Sequence, residues 1–201
     1  MANFRTFRIL PTVLVFVIII IAVAALVSVA RAVFFSGSST SAPTIADASK
    51  EALLNTAVGR SVTMTVRGPI VADEAFHSYK IDISANSRQI ETYSGYLDTV
   101  VDKKSLSNNT AAYEEFVYAL DKADLADGDE LTGDRNDVRG ICATGRVYEF
   151  TIADNGKSIK KLWTSTCKGS AGSLDASVAQ LTSLFLNQIP DANTLIKKVS
   201  L

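Results

Sequence analysis

The sequence predicts an α+β domain carried on a single N-terminal transmembrane helix, with an antiparallel sheet of about five strands and two amphipathic helices packed on one face. Three observations lead there. Residues 9–30 run for twenty-two positions without a charge. Residues 61–67 and 76–85 alternate apolar and polar side chains, whereas 110–125 and 173–188 repeat apolar residues at helical spacing. The order strand–strand–strand–helix–hairpin–helix keeps strands and helices in separate runs, which excludes a doubly wound parallel sheet.

At about 1.5 Å per residue the uncharged run makes a helix of roughly 33 Å, enough to cross a hydrocarbon core of about 30 Å. Arg5 and Arg8 precede it and only Arg31 follows closely. Basic residues favour the cytoplasmic side. Residues 1–8 are therefore expected in the cytoplasm, 9–35 as a signal-anchor helix with an interfacial exit, and the remainder outside the cell membrane. The charged start and the Ala30-Arg31-Ala32 triplet also fit a cleaved signal peptide. The length of the run and the bulky Phe34-Phe35 pair favour a retained anchor. Residues 36–47, rich in Ser, read as a flexible tether, and 48–201 as one extracytoplasmic domain large enough to bury a core.

The elements of that domain follow in order. Residues 48–58 form a short helix, with Asp47 as N-cap and Gly59 as stop. In 61–67, Val62, Met64 and Val66 share one face, and Gly68-Pro69 ends the strand. In 76–85, Tyr79, Ile81 and Ile83 lie opposite Lys80, Asp82 and Ser84. Asn86-Ser87 is a turn into a third strand over 88–96. One buried and one wet face suit an antiparallel meander. Tyr113, Phe116, Val117 and Leu120 make the core stripe of the first long helix. The Asn108-Asn109-Thr110 triplet before it is a glycosylation acceptor in a suitable host and otherwise a helix cap. Residues 121–140 form an acidic loop. Leu174, Val178, Leu181 and Phe185 mark the second helix, with Ser173 as N-cap and Pro190 as stop. The last residues suit either a short helix or an edge segment.

Cys142 and Cys167 are the only cysteines. If residues 142–152 and 157–167 pair through a four-residue loop over 153–156, Cys142 stands opposite Cys167, as a cross-strand disulfide requires. The same register sets Glu149 against Lys160, Val147 against Leu162, Phe150 against Ile159 and Arg146 against Trp163. A two-residue Asn155-Gly156 turn would misalign the cysteines, so the longer loop is expected. An oxidising compartment outside the membrane permits the bond.

Catalytic motifs are missing from the sequence. His77 is the sole histidine, and no GxSxG, GxGxxG or GxxxxGK[ST] pattern occurs; no cofactor is implied. The glycine-containing stretch 168–173 reads as a strand-to-helix loop. Asp124, Asp127, Asp129, Asp134 and Asp137 form a patch that suits a weakly held cation or a basic partner. They do not fit the EF-hand pattern, because counting from Asp127 puts Leu131 at the third ligand position. Without Arg5, Arg8 and Arg31 the chain holds 17 basic and 21 acidic residues, which gives no field for nucleic acid. The expectation is a non-catalytic, membrane-anchored binding or assembly domain that contacts another envelope or surface protein. The first alternative is a carrier of an apolar small molecule or lipid, its pocket lined by Val62, Met64, Val66, Tyr79, Ile81 and Ile83. The second is a carboxylate-dependent hydrolase, for which no carboxylate pair is recognisable.

Overall fold

Alternating segments in the sequence become the centre of a six-stranded antiparallel sheet, one strand more than expected. The computed structural model describes residues 45–201. The membrane helix expected over 9–35 and most of the tether lie outside the described residues. Among the described residues, no helix is long and apolar enough to cross a membrane.

In chain order the elements are α1 (Ile45–Leu54), β1 (Arg60–Arg67), β2 (His77–Ser84), β3 (Ser87–Ser94), β4 (Thr99–Ser107), α2 (Thr110–Lys122), β5 (Val147–Asp154), β6 (Lys157–Ser165), α3 (Val178–Leu186) and α4 (Ala192–Lys198). The strand order is β4-β3-β2-β1-β5-β6. β1 is central: Met64 pairs with Ile81 of β2 on one side and with Phe150 of β5 on the other. Helix α1 begins at Ile45, so Asp47 lies inside its first turn and is not the N-cap. Asn109 caps α2, its side chain accepting from the Ala112 N–H at 2.9 Å. Ser177, not Ser173, caps α3 through a hydrogen bond from the Gln180 N–H. The C-terminal residues left open by the sequence form α4.

The core lies on one face of the sheet. Val62, Met64, Val66, Tyr79, Ile81, Ile83, Ile90, Phe150 and Ile152 meet Leu53 of α1, the Tyr113–Leu120 stripe of α2, Leu181 and Phe185 of α3, and Ile196 of α4. Phe185 touches Phe116 edge-on at 5.2 Å between centroids and Phe150 at 5.9 Å. Burial of such side chains stabilises by about 2 kcal/mol each. Of the six residues expected to line a carrier pocket, Val62, Met64, Ile81 and Ile83 are completely buried in the core, whereas Val66 and Tyr79 border a cavity at one end of the sheet.

The β5–β6 hairpin also departs from expectation. Asn155 and Gly156 both have positive φ, 49° and 76°, as a two-residue hairpin turn demands. Asp154 therefore pairs with Lys157. An irregularity between Ile152 and Ala153 then sets Ile152 against Lys160, Phe150 against Leu162, Glu149 against Trp163 and Val147 against Ser165. None of the four cross-strand pairs expected from the longer loop is present. Lys160 instead lies on the core side, and its ammonium donates to the Ala126 carbonyl at 2.7 Å. Burial pulls its pKa below the usual lysine value.

The two sheet edges differ. Beside β6, the Ser173 and Leu174 N–H groups both donate to the Trp163 carbonyl, while the Ser173 hydroxyl accepts from the Trp163 N–H. Gly172 makes this approach feasible: its φ is +81°, and a Cβ there would stand 2.0 Å from the Trp163 carbonyl oxygen. β4, at the other edge, is exposed and carries Asp102, Lys103 and Lys104, charges that discourage further strand pairing. Replacing Gly172 by Ala should cost about 3 kcal/mol or more in chemical denaturation. Gly140→Ala, also at positive φ but with open space around it, should cost only about 1 kcal/mol.

Candidate functional site

The sheet face opposite the helices is only partly wet. Val147 and Trp163 point away from the main core and pack with Val138 and Cys142 in a second, smaller cluster. The chain that covers them is the acidic loop, which turns across the outer face of β5 and β6. Lys161 fastens it by donating to the Asn136 carbonyl at 2.8 Å. The Cys142–Cys167 disulfide closes it, with Cα atoms 5.5 Å apart and a sequence separation of 25. Neither cysteine belongs to a strand. The connection stays paired beyond the hairpin instead, since the Thr166 N–H donates to the Arg146 carbonyl and the Arg146 N–H to the Thr166 hydroxyl.

That loop is one wall of an apolar groove of about 270 Å³ bordered by Ile70, Phe76, Tyr96, Val138, Ile141 and Val147. The opposite wall is built from two segments that lock together. The Tyr96 ring stacks on Phe76 at 4.1 Å and 17°. Its hydroxyl donates to the Val71 carbonyl at 2.8 Å and accepts from the Val71 N–H at 3.1 Å. Asp73, in a short 3-10 turn, accepts from the Tyr96 N–H at 2.8 Å. The Ile70 N–H donates to the Ala143 carbonyl at 2.9 Å, tying this wall to the loop opposite.

Several large apolar side chains next to the groove are exposed. Ile70 and Tyr96 border it and are 47% and 46% exposed, and Val71 and Leu97, which follow them in sequence, are 41% and 91% exposed; Val100 and Val101, at the start of β4, are 52% and 50% exposed. Exposed apolar side chains gathered beside a groove mark a place where a partner binds more often than a random surface does. Sequence reasoning missed it because these residues fall in a turn and in a strand too polar to be recognised.

A second concavity lies on the helix side of the same sheet end, between the first residues of β5, α3 and α4. Its inner part holds about 190 Å³ and is bordered by Val66, Tyr79, Tyr148, Thr182, Leu186 and Asn193, with Arg146 at its rim. Burial raises the pKa of the Tyr79 phenol, as does the nearby Tyr148, while Arg146 acts in the opposite sense. A third hollow on the outer face, bordered by Thr63, Thr65, Lys80, Asp82 and Tyr93, has the buried Ser78 at its floor.

The residues singled out from the sequence distribute as follows. Asp124 follows α2 in left-handed backbone at φ 59°. The Asp127 carbonyl accepts from the Asp175 N–H. Asp134 lies in a second 3-10 turn. Asp137 is gripped by Arg139, whose side-chain hydrogen bonds hold its carboxyl at about 2. Asp129 makes no ion pair among the described residues, although its charge acts on Lys160. No three His, Cys, Asp or Glu side chains converge as metal ligands among the described residues. His77 opens β2 opposite Ser94, and its side chain makes no hydrogen bond among the described residues.

The disulfide is thus the clip on one wall of the groove. The double variant Cys142→Ser, Cys167→Ser should lose about 3 kcal/mol of stability in the chain-entropy picture. In hydrogen exchange, amides of residues 138–146 should lose protection while those of β1 and β2 keep theirs. No protein-family model matches the chain, and no curated protein is similar to it.

Proposed function

We propose that this chain is a non-catalytic binding or assembly domain, held outside the cell membrane by a retained N-terminal helix, that contacts another envelope protein. The observation that carries this reading is the group of exposed apolar side chains around Leu97. Large side chains stand in water there although the polypeptide around them is held by defined hydrogen bonds. Ordered apolar display of this kind costs solvation and is compensated when a partner covers it. The long uncharged run at the start of the sequence supplies the membrane address, with residues 1–8 inside.

The partner is expected to bring an apolar side chain into the groove and backbone toward the first residues of β4. Asp102, Lys103 and Lys104 limit strand addition farther along that edge. Lys103 is bound to Glu91 at 2.7 Å, and Asp102 to Lys198 at 2.7 Å.

The test is site-specific photo-crosslinking of the full chain in its native membrane, with benzoylphenylalanine at Leu97 or, as control, at the exposed Glu115 of α2. A discrete adduct with a second envelope protein is expected from Leu97 alone, and Ile70→Asp should reduce it at least tenfold. Identical adducts from both positions, or none from Leu97, would contradict the proposal. An adduct of twice the chain mass would replace the envelope partner with a second copy.

A further inference from the structure

The concavity on the helix side has a chemistry unlike that of the groove. Its inner part adjoins an outer lobe of about 480 Å³, and Tyr148, Thr182 and Leu186 border both. Tyr79 is 5% exposed and borders the inner part, and its hydroxyl makes no hydrogen bond among the described residues. The Thr182 hydroxyl is fully buried without a partner. A buried hydroxyl left unpaired is costly unless something else bonds to it.

Charge points the same way. Among the described residues Arg146 is the sole charged side chain bordering either lobe, and it makes no ion pair there. The remaining polar side chains (Tyr148, Asn187, Asn193 and the hydroxyls) can all donate hydrogen bonds, and Leu201, the last residue of the sequence, also borders the inner lobe. Val66, Val178, Ala179, Leu186 and Ile196 give the walls an apolar surface leading away from Arg146. A cation and several donors at one end of an apolar channel match an oxyanion carried on a hydrocarbon chain.

We infer that this cleft binds an acyl or alkyl chain ending in an oxyanion, a carboxylate or a phosphate, with the anion at Arg146, Tyr79, Tyr148 and Thr182 and the chain along Leu186. The site is separate from the groove assigned to a protein partner, so either can fail without the other. It also differs from a pocket inside the sheet, because Val62, Met64, Ile81 and Ile83 take no part in it.

All six tyrosines lie between Tyr79 and Tyr148 in the sequence, so 3-fluorotyrosine gives one fluorine resonance for each. The full chain, so labelled and held in phosphatidylcholine nanodiscs, is titrated with octanoate, octyl phosphate, octanol and inorganic phosphate. Tyr79 and Tyr148, assigned by Tyr→Phe variants, should shift saturably with octanoate or octyl phosphate while Tyr93, Tyr96, Tyr113 and Tyr118 stay in place. Octanol and inorganic phosphate should each bind at least tenfold more weakly. Octanoate alone points to a free fatty acid, octyl phosphate alone to a phospholipid headgroup, and both support the site. Arg146→Gln should weaken binding about tenfold while the unliganded resonances of Tyr93, Tyr96, Tyr113 and Tyr118 stay in place. The inference is overturned if Tyr79 and Tyr148 do not saturate, if octanol or inorganic phosphate matches octanoate, or if Arg146→Gln binds like the parent.

Discussion

Burial of one face of β1 governs the rest of the molecule. Val62, Met64 and Val66 are within 1% of complete burial, and both neighbouring strands are fixed to them residue by residue. A shift of one position would turn all three into water and put Thr63, Thr65 and Arg67 into the core. The register of β2 and β5 follows from this constraint, and with it the height at which each helix can dock. Thr63 and Asp82, joined at 2.6 Å on the opposite face, are consistent with the same register.

The other side of the sheet is organised by a different interaction. There the acidic loop crosses β5 and β6 and buries Trp163 and Val147 under Val138 and the disulfide. The bond therefore acts beyond joining two strands, since it holds a loop over a sheet face that would otherwise be wet. This divides the surface into the strapped half, with the apolar groove at its end, and an open hydroxyl-rich half over β1 and β2. The apolar groove and the helix-side cleft lie on opposite faces of one sheet end. Successive residues separate them: Val147 looks into the groove and Tyr148 into the cleft.

Period and punctuation made β1, β2, β3 and α2 legible in the sequence, because each has a clean apolar stripe ended by a turn or cap. β4 was not legible. Its edge position removes the need for an apolar face, so Thr99–Ser107 alternates only between exposed and half-buried. The disulfide was read correctly for a wrong geometric reason. Asn155-Gly156 does make the short turn, and the chain regains the alignment of the cysteines outside the strands through the Thr166–Arg146 hydrogen bonds. Lys160 escaped notice because a lysine at a core-facing position is tolerated only where a carbonyl, here Ala126, meets its ammonium. Of the site residues, Cys142 and Cys167 were readable from spacing. Ile70, Tyr96 and Leu97 were not, since their importance comes from two turns meeting in space. Arg146 had been placed opposite Trp163, and only the true register frees it for the cleft.

The proposed placement of the domain outside the membrane and the disulfide that clips its loop can be tested on one sample. Intact spheroplasts carrying the full chain can be treated with protease or, separately, denatured in maleimide without reductant. The account predicts that external protease removes the domain while cytosolic markers survive, and that Cys142 and Cys167 react only after reduction. A full-length band that survives external protease until the membrane is broken, together with two thiols that label at once, would contradict it.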